Sequence, residues 1–242
     1  MKVQVVGHEA DGFLDKVRRH GFELVPHRPD VIVAYGGDGT FIGAERHYPG
    51  VPKLGVRRDA TCLKCERHRD DVVLERLRRN ALEPSFLAKL EGSWDAHTVV
   101  AVNDIILRNS DARSAVRFRV RLNGQAVTEE LIGDGIVLCT PFGSSAYFRS
   151  ITRTVIRTGI GVAFNNCTDL LNHLVIADDD MIEIEVTRGP ATLAADNDHR
   201  THDLGEGDIL KVLRAAEQAH VLAVDTLRCA DCRYVSAPRR RY

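Results

Sequence analysis

Apolar residues along this chain keep two different rhythms. Up to about residue 84, short apolar runs alternate with stretches in which apolar residues recur every three or four positions, the signature of strands alternating with helices. Residues 3–7 predict a first strand, and 9–20 a helix with Phe13, Leu14 and Val17 on one face, closed by Gly21. Strands follow over 22–25 and 31–35, a helix over 41–47, a strand over 53–56, and a helix over 70–80 with Val72, Val73 and Leu77 turned inward. Strand, helix, strand in this order predicts a parallel sheet. Beyond Pro84 the period shifts to alternation, with strands over 86–90, 97–108, 116–122, 135–140, 160–164, 181–186, 209–213 and 221–224 and one helix near 144–150. Asn123-Gly124 between two of these strands is a hairpin signal. The fold class is therefore an α/β N-terminal domain with a parallel sheet plus a mainly β C-terminal domain.

One strand of the first domain ends in unusual chemistry. Val31-Ile32-Val33-Ala34-Tyr35 suits a strand buried on both faces, and it runs directly into Gly36-Gly37-Asp38-Gly39-Thr40. The three glycines permit positive φ and leave the backbone bare, so that free N–H groups could face a phosphate. Thr40 and the residues after it open a helix whose N-terminal end adds positive potential. Asp38 is the odd member, because a carboxylate repels phosphate; receiving a hydroxyl proton or holding Mg²⁺ suits it better. The alternative is a plain Gly-Asp-Gly turn.

Two further constellations lie in the β-rich part. Asn103-Asp104 interrupts the apolar run 99–107, either as a hydrogen-bonded polar pair facing a ligand or as a bulge where both residues reach water. Gly133-Asp134-Gly135 leads through an apolar strand to Thr140-Pro141-Phe142-Gly143-Ser144-Ser145-Ala146-Tyr147. Its hydroxyls and N–H groups could bind phosphate, ribose or adenine, or could simply cap a short helix.

Composition narrows the classes. In 242 residues, 44% are hydrophobic, 28% are charged and the net charge is −1, so no overall basic field argues for nucleic acid or an anionic membrane. Arg239-Arg240-Arg241 reads as a solvated end. No apolar run approaches the roughly 18 residues of a membrane span, and Met1-Lys2-Val3 leads into a strand rather than a signal peptide, so a cytoplasmic protein is expected. Four of the six cysteines form two equal spacings, Cys62-x-x-Cys65 and Cys229-x-x-Cys232. In a reducing compartment such pairs favour a structural Zn²⁺ held by four thiolates, with redox disulfides and free thiols as the alternatives.

Together and in this order, the three motifs resemble the NAD kinase family, which transfers the terminal phosphate of ATP or polyphosphate to the adenosine 2′-hydroxyl of NAD. Gly36 to Thr40 matches outright, Asn103-Asp104 is similar to the family's Asn-Glu pair, and 133–147 is similar to its long third signature. The first motif is shared with diacylglycerol and sphingosine kinases and resembles phosphofructokinase; the third is specific to NAD kinases. The resemblance implies that Asp38 is the catalytic base, that Mg²⁺ accompanies ATP, and that Gly36, Gly37, Gly39, Thr40, Asn103, Asp104, Ser144, Ser145, Ala146, Tyr147 and Ser150 bind the nucleotides. It also implies that Asp134 reaches the dinucleotide of a neighbouring subunit in a homo-oligomer. The domains would be 1–84, completed by the returning segment 221–242, and a dinucleotide-binding domain over 85–220; that return would bring the two cysteine pairs together. The chain departs from the family at Arg57-Arg58, Phe142, Phe148-Arg149 and Asn197, the last beside Asp196, which matches a late aspartate. Those departures keep open a nucleotide-binding protein without transfer activity, or a kinase acting on another hydroxyl, of a lipid or a sugar.

Overall fold

The structure, a computed structural model, describes residues 1–7, 11–58, 65–227 and 229. It divides into two units, residues 1–87 with the C-terminal segment from Ala219, and Ala88–Gln218.

In the first unit the strands are β1 (Lys2–Val6), β2 (Glu23–Leu24), β3 (Val31–Tyr35) and β4 (Lys53–Val56). They lie parallel in the order β2-β1-β3-β4, and Val221 and Leu222 pair with β4 as a fifth parallel segment. Each of Val31, Ile32, Val33 and Ala34 is buried, as a strand covered on both faces must be. Val31 and Val33 join a core with Phe13 and Val17 of α1 (Asp11–Arg19) and with Val73, Leu74 and Leu77 of α3 (Asp70–Arg78). The Phe13 ring stacks on Tyr35 with centroids 4.2 Å apart. The helix after the glycine turn, α2 (Asp38–His47), packs on β3 and β4 and buries Phe41 and Ile42.

The second unit is a sandwich of two antiparallel layers. Its strands are β5 (Pro84–Trp94), β6 (His97–Ala101), β7 (Asp104–Asn109), β8 (Val116–Leu122), β9 (Gln125–Ala126), β10 (Leu131–Gly133), β11 (Gly135–Cys139), β12 (Ile160–Asn165), β13 (His173–Ile176), β14 (Ile182–Arg188), β15 (Ala191–Ala195), β16 (His202–Leu204) and β17 (Ile209–Leu222). One layer runs β10-β8-β14-β17, with β5 pairing β17 and β6; the other runs β13-β12-β11-β7-β15-β16. Alternate residues of both layers interdigitate in one core, Phe118, Val120, Ile182, Ile184 and Leu210 against Ile105, Leu107, Ile136, Leu138, Val162 and Leu193. The one α-helix here, α4 (Tyr147–Thr152), lies on β11 and β12 through the buried Phe148. No helix among the described residues is long and apolar enough to cross a membrane.

Three sequence expectations change. The helix after the glycine turn starts at Asp38, not Phe41, because its first turn is built from the motif itself. The expected strand over 97–108 is two strands of different layers, broken at Val102 and Asn103. The separate candidates over 209–213 and 221–224 are one long strand, β17, in which small residues such as Ala215, Ala216 and Ala219 had hidden the alternation.

Candidate active site

In the first unit the strand order reverses between β1 and β3, and ligands of open parallel sheets sit at the carboxyl ends of strands flanking such a reversal. Here those ends are Gly7 and Gly36. Gly7 has φ +136°, and a Cβ on it would lie 2.1 Å from the Tyr35 carbonyl oxygen; one on Gly36 would lie 2.2 Å from Thr40 Oγ1. None of Gly36, Gly37 and Gly39 takes the positive φ expected of it. Clearance is what Gly36 supplies, while Gly37 is the extended N-cap and Gly39 sits inside α2. Asp38 occupies the first turn of α2, where the positive helix end stabilises a carboxylate by about 0.3–1 kcal/mol. Just past β4, Arg57 brings Nη2 to 2.8 Å from Asp38 Oδ1, and the same nitrogen donates to the Leu227 carbonyl at 2.7 Å. The Asp38 side chain is 29% exposed, so it is held by the arginine yet open to solvent. Behind it, Glu45 of α2 and Lys53 of β4 form a fully buried ion pair, and Lys53 Nζ also donates to the Tyr48 carbonyl at 2.5 Å.

In the second unit the break between β6 and β7 is a tight bend gathered around one carboxylate. Asp196 accepts the backbone N–H of Val102 at 2.8 Å, of Asn103 at 2.6 Å and of Asp104 at 3.2 Å. From the other side, Thr140 donates its hydroxyl to the Val102 carbonyl and its backbone N–H to the Asn103 carbonyl. Gly143 lies so close that a Cβ would stand 2.0 Å from the Asn103 carbonyl oxygen. The consequence is a rigid platform with two polar side chains on it. Asn103 Oδ1 is buried and lacks a hydrogen-bond partner among the described residues, a state that ordinarily costs about 1–3 kcal/mol. Burial, reinforced by the Asp196 charge, pushes the Asp104 carboxyl up to about 7. A carboxyl poised there can donate or accept a hydrogen bond near neutral pH.

Residues 102–224 match the profile of the ATP-NAD kinase C-terminal domain, half of the chain and the part that holds this platform. The chain belongs to the NAD kinase family. The NAD kinase of Xanthomonas campestris pv. campestris (strain 8004) is 34% identical over 140 residues, covering 54% of this chain and 53% of that protein. This chain thus spans about half the length of that relative. The NAD kinase of Nitrosomonas eutropha is 26% identical over 216 residues, 83% of this chain and 72% of its own. Yeast NADH kinase complexed with NADH superposes with a TM-score of 0.81 at 15% identity, over 100% of this chain and 90% of that one. An NAD kinase from Archaeoglobus fulgidus in complex with ATP gives 0.77 at 17% identity, over 98% and 100%. At such identities these two likenesses establish the two-domain fold.

The family's third signature divides into scaffold and surface. Ser144 is buried, its hydroxyl donating to the Pro141 carbonyl and accepting from the Ile156 N–H, so it staples the loop. Ser145 and Tyr147 are half-buried and Ala146 and Ser150 exposed; the Tyr147 hydroxyl takes a bond from Asn165 and the Ser150 hydroxyl caps the Tyr147 carbonyl. Asp134 is half-buried and accepts from Asn166. Phe148, where small residues are usual in the family, fills a pocket between Val137, Cys139 and Ala163, while Arg149 points to solvent. Among the cysteines, Cys65 and Cys229 come together; Cys62 and Cys232 lie outside the described residues. Sequence reasoning had Thr140 and Gly143 within the third motif but missed that they brace the Asn103 bend, and it missed His68, whose one signal was its spacing three residues after Cys65. Arg57 was visible only as a departure and Asp196 only as a family match, because neither role leaves a local pattern.

Proposed function

We propose that the chain transfers the terminal phosphate of ATP, or of another phosphoryl donor, to the adenosine 2′-hydroxyl of NAD. The observation that carries this reading is Asp38, a solvent-reachable carboxylate fixed at the carboxyl edge of a parallel sheet by a helix N-terminus and Arg57, in a chain of the NAD kinase family. In this reading Asp38 receives the proton of the attacking hydroxyl, a role worth typically 10²–10⁴ in rate. The turn N–H groups and the positive end of α2 face the donor phosphates, and Arg57 adds a cation beside them. The second unit serves as the dinucleotide-binding domain, with Asn103 and Asp104 on the adenosine and with Ser145, Ala146, Tyr147 and Ser150 around the base. The hard oxygens of Asp38 suit Mg²⁺, which when bound with the donor neutralises phosphate charge. A homo-oligomer in which Asp134 meets a neighbour's dinucleotide belongs to the same reading, and sedimentation of the purified chain tests it.

The deciding assay supplies NAD, ATP and Mg²⁺ and detects NADP through a dehydrogenase that accepts only that product. Wild type should form NADP, and Asp38→Asn should lose at least about 10²-fold in kcat with an unchanged circular dichroism spectrum. No NADP with either ATP or polyphosphate ends the claim. The Arg57 pairing with Asp38 favours one second reading, a nucleotide-binding protein whose carboxylate is held away from chemistry. Calorimetric NAD binding without turnover, and turnover appearing in Arg57→Ala, would select it.

A further inference from the structure

Phosphoryl transfer leaves one cluster of the first unit without a role. Cys65 precedes a single 3₁₀ turn, Glu66–His68, which folds His68 back so that its Nδ1 lies 3.1 Å from Cys65 Sγ. Cys229, from the far end of the chain, brings its Sγ to 3.9 Å from Cys65 Sγ. The three donor atoms lie within 4.8 Å of one another. Tetrahedral zinc, with bonds of about 2.3 Å to sulfur and about 2.0–2.1 Å to nitrogen, sets its ligand atoms roughly 3.5–3.8 Å apart, close to this spacing. A disulfide needs its sulfurs at about 2.05 Å, far shorter than the 3.9 Å between these two.

The surroundings are those of a metal ligand set. His68 and Cys229 are only 4% and 6% exposed. The second ring nitrogen of His68, Nε2, lies 2.8 Å from Asp225 Oδ2. A carboxylate there fixes the proton on Nε2 and turns the Nδ1 lone pair to the Cys65 side, the arrangement that prepares an imidazole to bind metal. Arg67 places a guanidinium nitrogen 3.1 Å from Cys229 Sγ, which offsets the charge of a thiolate.

We propose that Cys65, His68 and Cys229 bind a structural zinc ion, with Asp225 orienting His68 from behind. The fourth donor is outside this trio; the sequence spacing offers Cys62 and Cys232, which lie outside the described residues. The ion ties the turn before α3 to the C-terminal segment, and that segment reaches Asp38. Between Asp225 and Cys229, Leu227 drops its side chain onto Gly55, where a Cβ would lie 2.3 Å from Leu227 Cδ2, and its carbonyl holds the Arg57 nitrogen that pairs with Asp38. Zinc thereby sets the position of Arg57. This last consequence rests on the kinase reading, whereas the metal site does not.

The test is the metal content of the full chain purified under reducing conditions without chelators. Wild type should carry about one zinc per chain, and X-ray absorption should show a mixed shell with sulfur at about 2.3 Å and nitrogen at about 2.0–2.1 Å. Cys229→Ser and His68→Ala should each lose the metal, His68→Cys should keep it, and Asp225→Asn should weaken affinity about 10–100-fold. Should the cysteine variants fail to fold, Co²⁺ titration of the wild-type chain must yield a thiolate-to-cobalt charge-transfer band. A chain that holds no zinc as purified or after Zn²⁺ addition overturns the proposal, as does full zinc content in Cys229→Ser or His68→Ala. Zinc content is read without any turnover, so an inactive chain that still binds zinc would sink the kinase reading alone.

Discussion

Asp104 gives a sharp pH signature. Its folded pKa, about 7, lies above the unfolded carboxylate value, so the fold prefers the protonated form. The stabilising contribution is full below about pH 4 and is lost as pH rises through about 7. Asp104→Asn should remove that slope and make the chain more stable than wild type at pH 8, by on the order of a few kcal/mol in chemical denaturation. An unchanged slope in the variant would refute the assignment. Arg57 offers a second residue-level check. In the proposed reaction Arg57 is a positioning cation beside the donor phosphates, so its replacement by alanine should cost about 10²-fold or more in kcat, with partial recovery in Arg57→Lys, since lysine keeps the charge but not the two-partner geometry.

Elements are joined in this protein by charges that no sequence period announces. The bend between β6 and β7 is closed by three backbone N–H groups on Asp196, and bonds to a charged acceptor are worth about 1.5–3 kcal/mol each before losses to non-additivity. Asp196→Ala should therefore destabilise the chain by at least about 2 kcal/mol and weaken NAD binding in calorimetry, while α4 and the Ser144 staple persist. In the first unit, α2 is anchored to β4 by the buried Glu45–Lys53 pair. Lys53→Ala removes a buried cationic partner of Glu45 and should lower stability by about 3–5 kcal/mol, whereas the double change Lys53→Met with Glu45→Leu should recover most of it. A single variant as stable as wild type would show that the pair is not sealed from water.

For the molecule as a whole, a ligand that binds only the folded chain stabilises it by mass action. NAD at about 100 times its Kd should raise unfolding free energy by about 2.7 kcal/mol, and Asn103→Ala should abolish that increment without lowering the ligand-free melting temperature, since it removes a buried oxygen that has no partner among the described residues. A full increment in the variant would remove Asn103 from the binding surface.

The fold class was legible in the sequence: 31–35, 53–56 and 116–122 are strands as the rhythm predicts, and a parallel sheet precedes mainly antiparallel strands as the change of period implies. Local propensity and side-chain alternation suffice for that, because each strand must face its own core. The short strands Leu131–Gly133, His173–Ile176 and Ala191–Ala195 were not legible, since a few residues carry too little alternation and are held by their neighbours in the layer. The chain names Asp38, Asn103 and the cysteine pairs through residue type alone. Only tertiary structure brings Arg57 and Leu227 to Asp38, Asp196 beneath the β6–β7 bend, and His68 between two distant cysteines. Those partners are separated by up to 170 residues, and contacts closed across such distances follow from strand order and packing rather than from any local pattern.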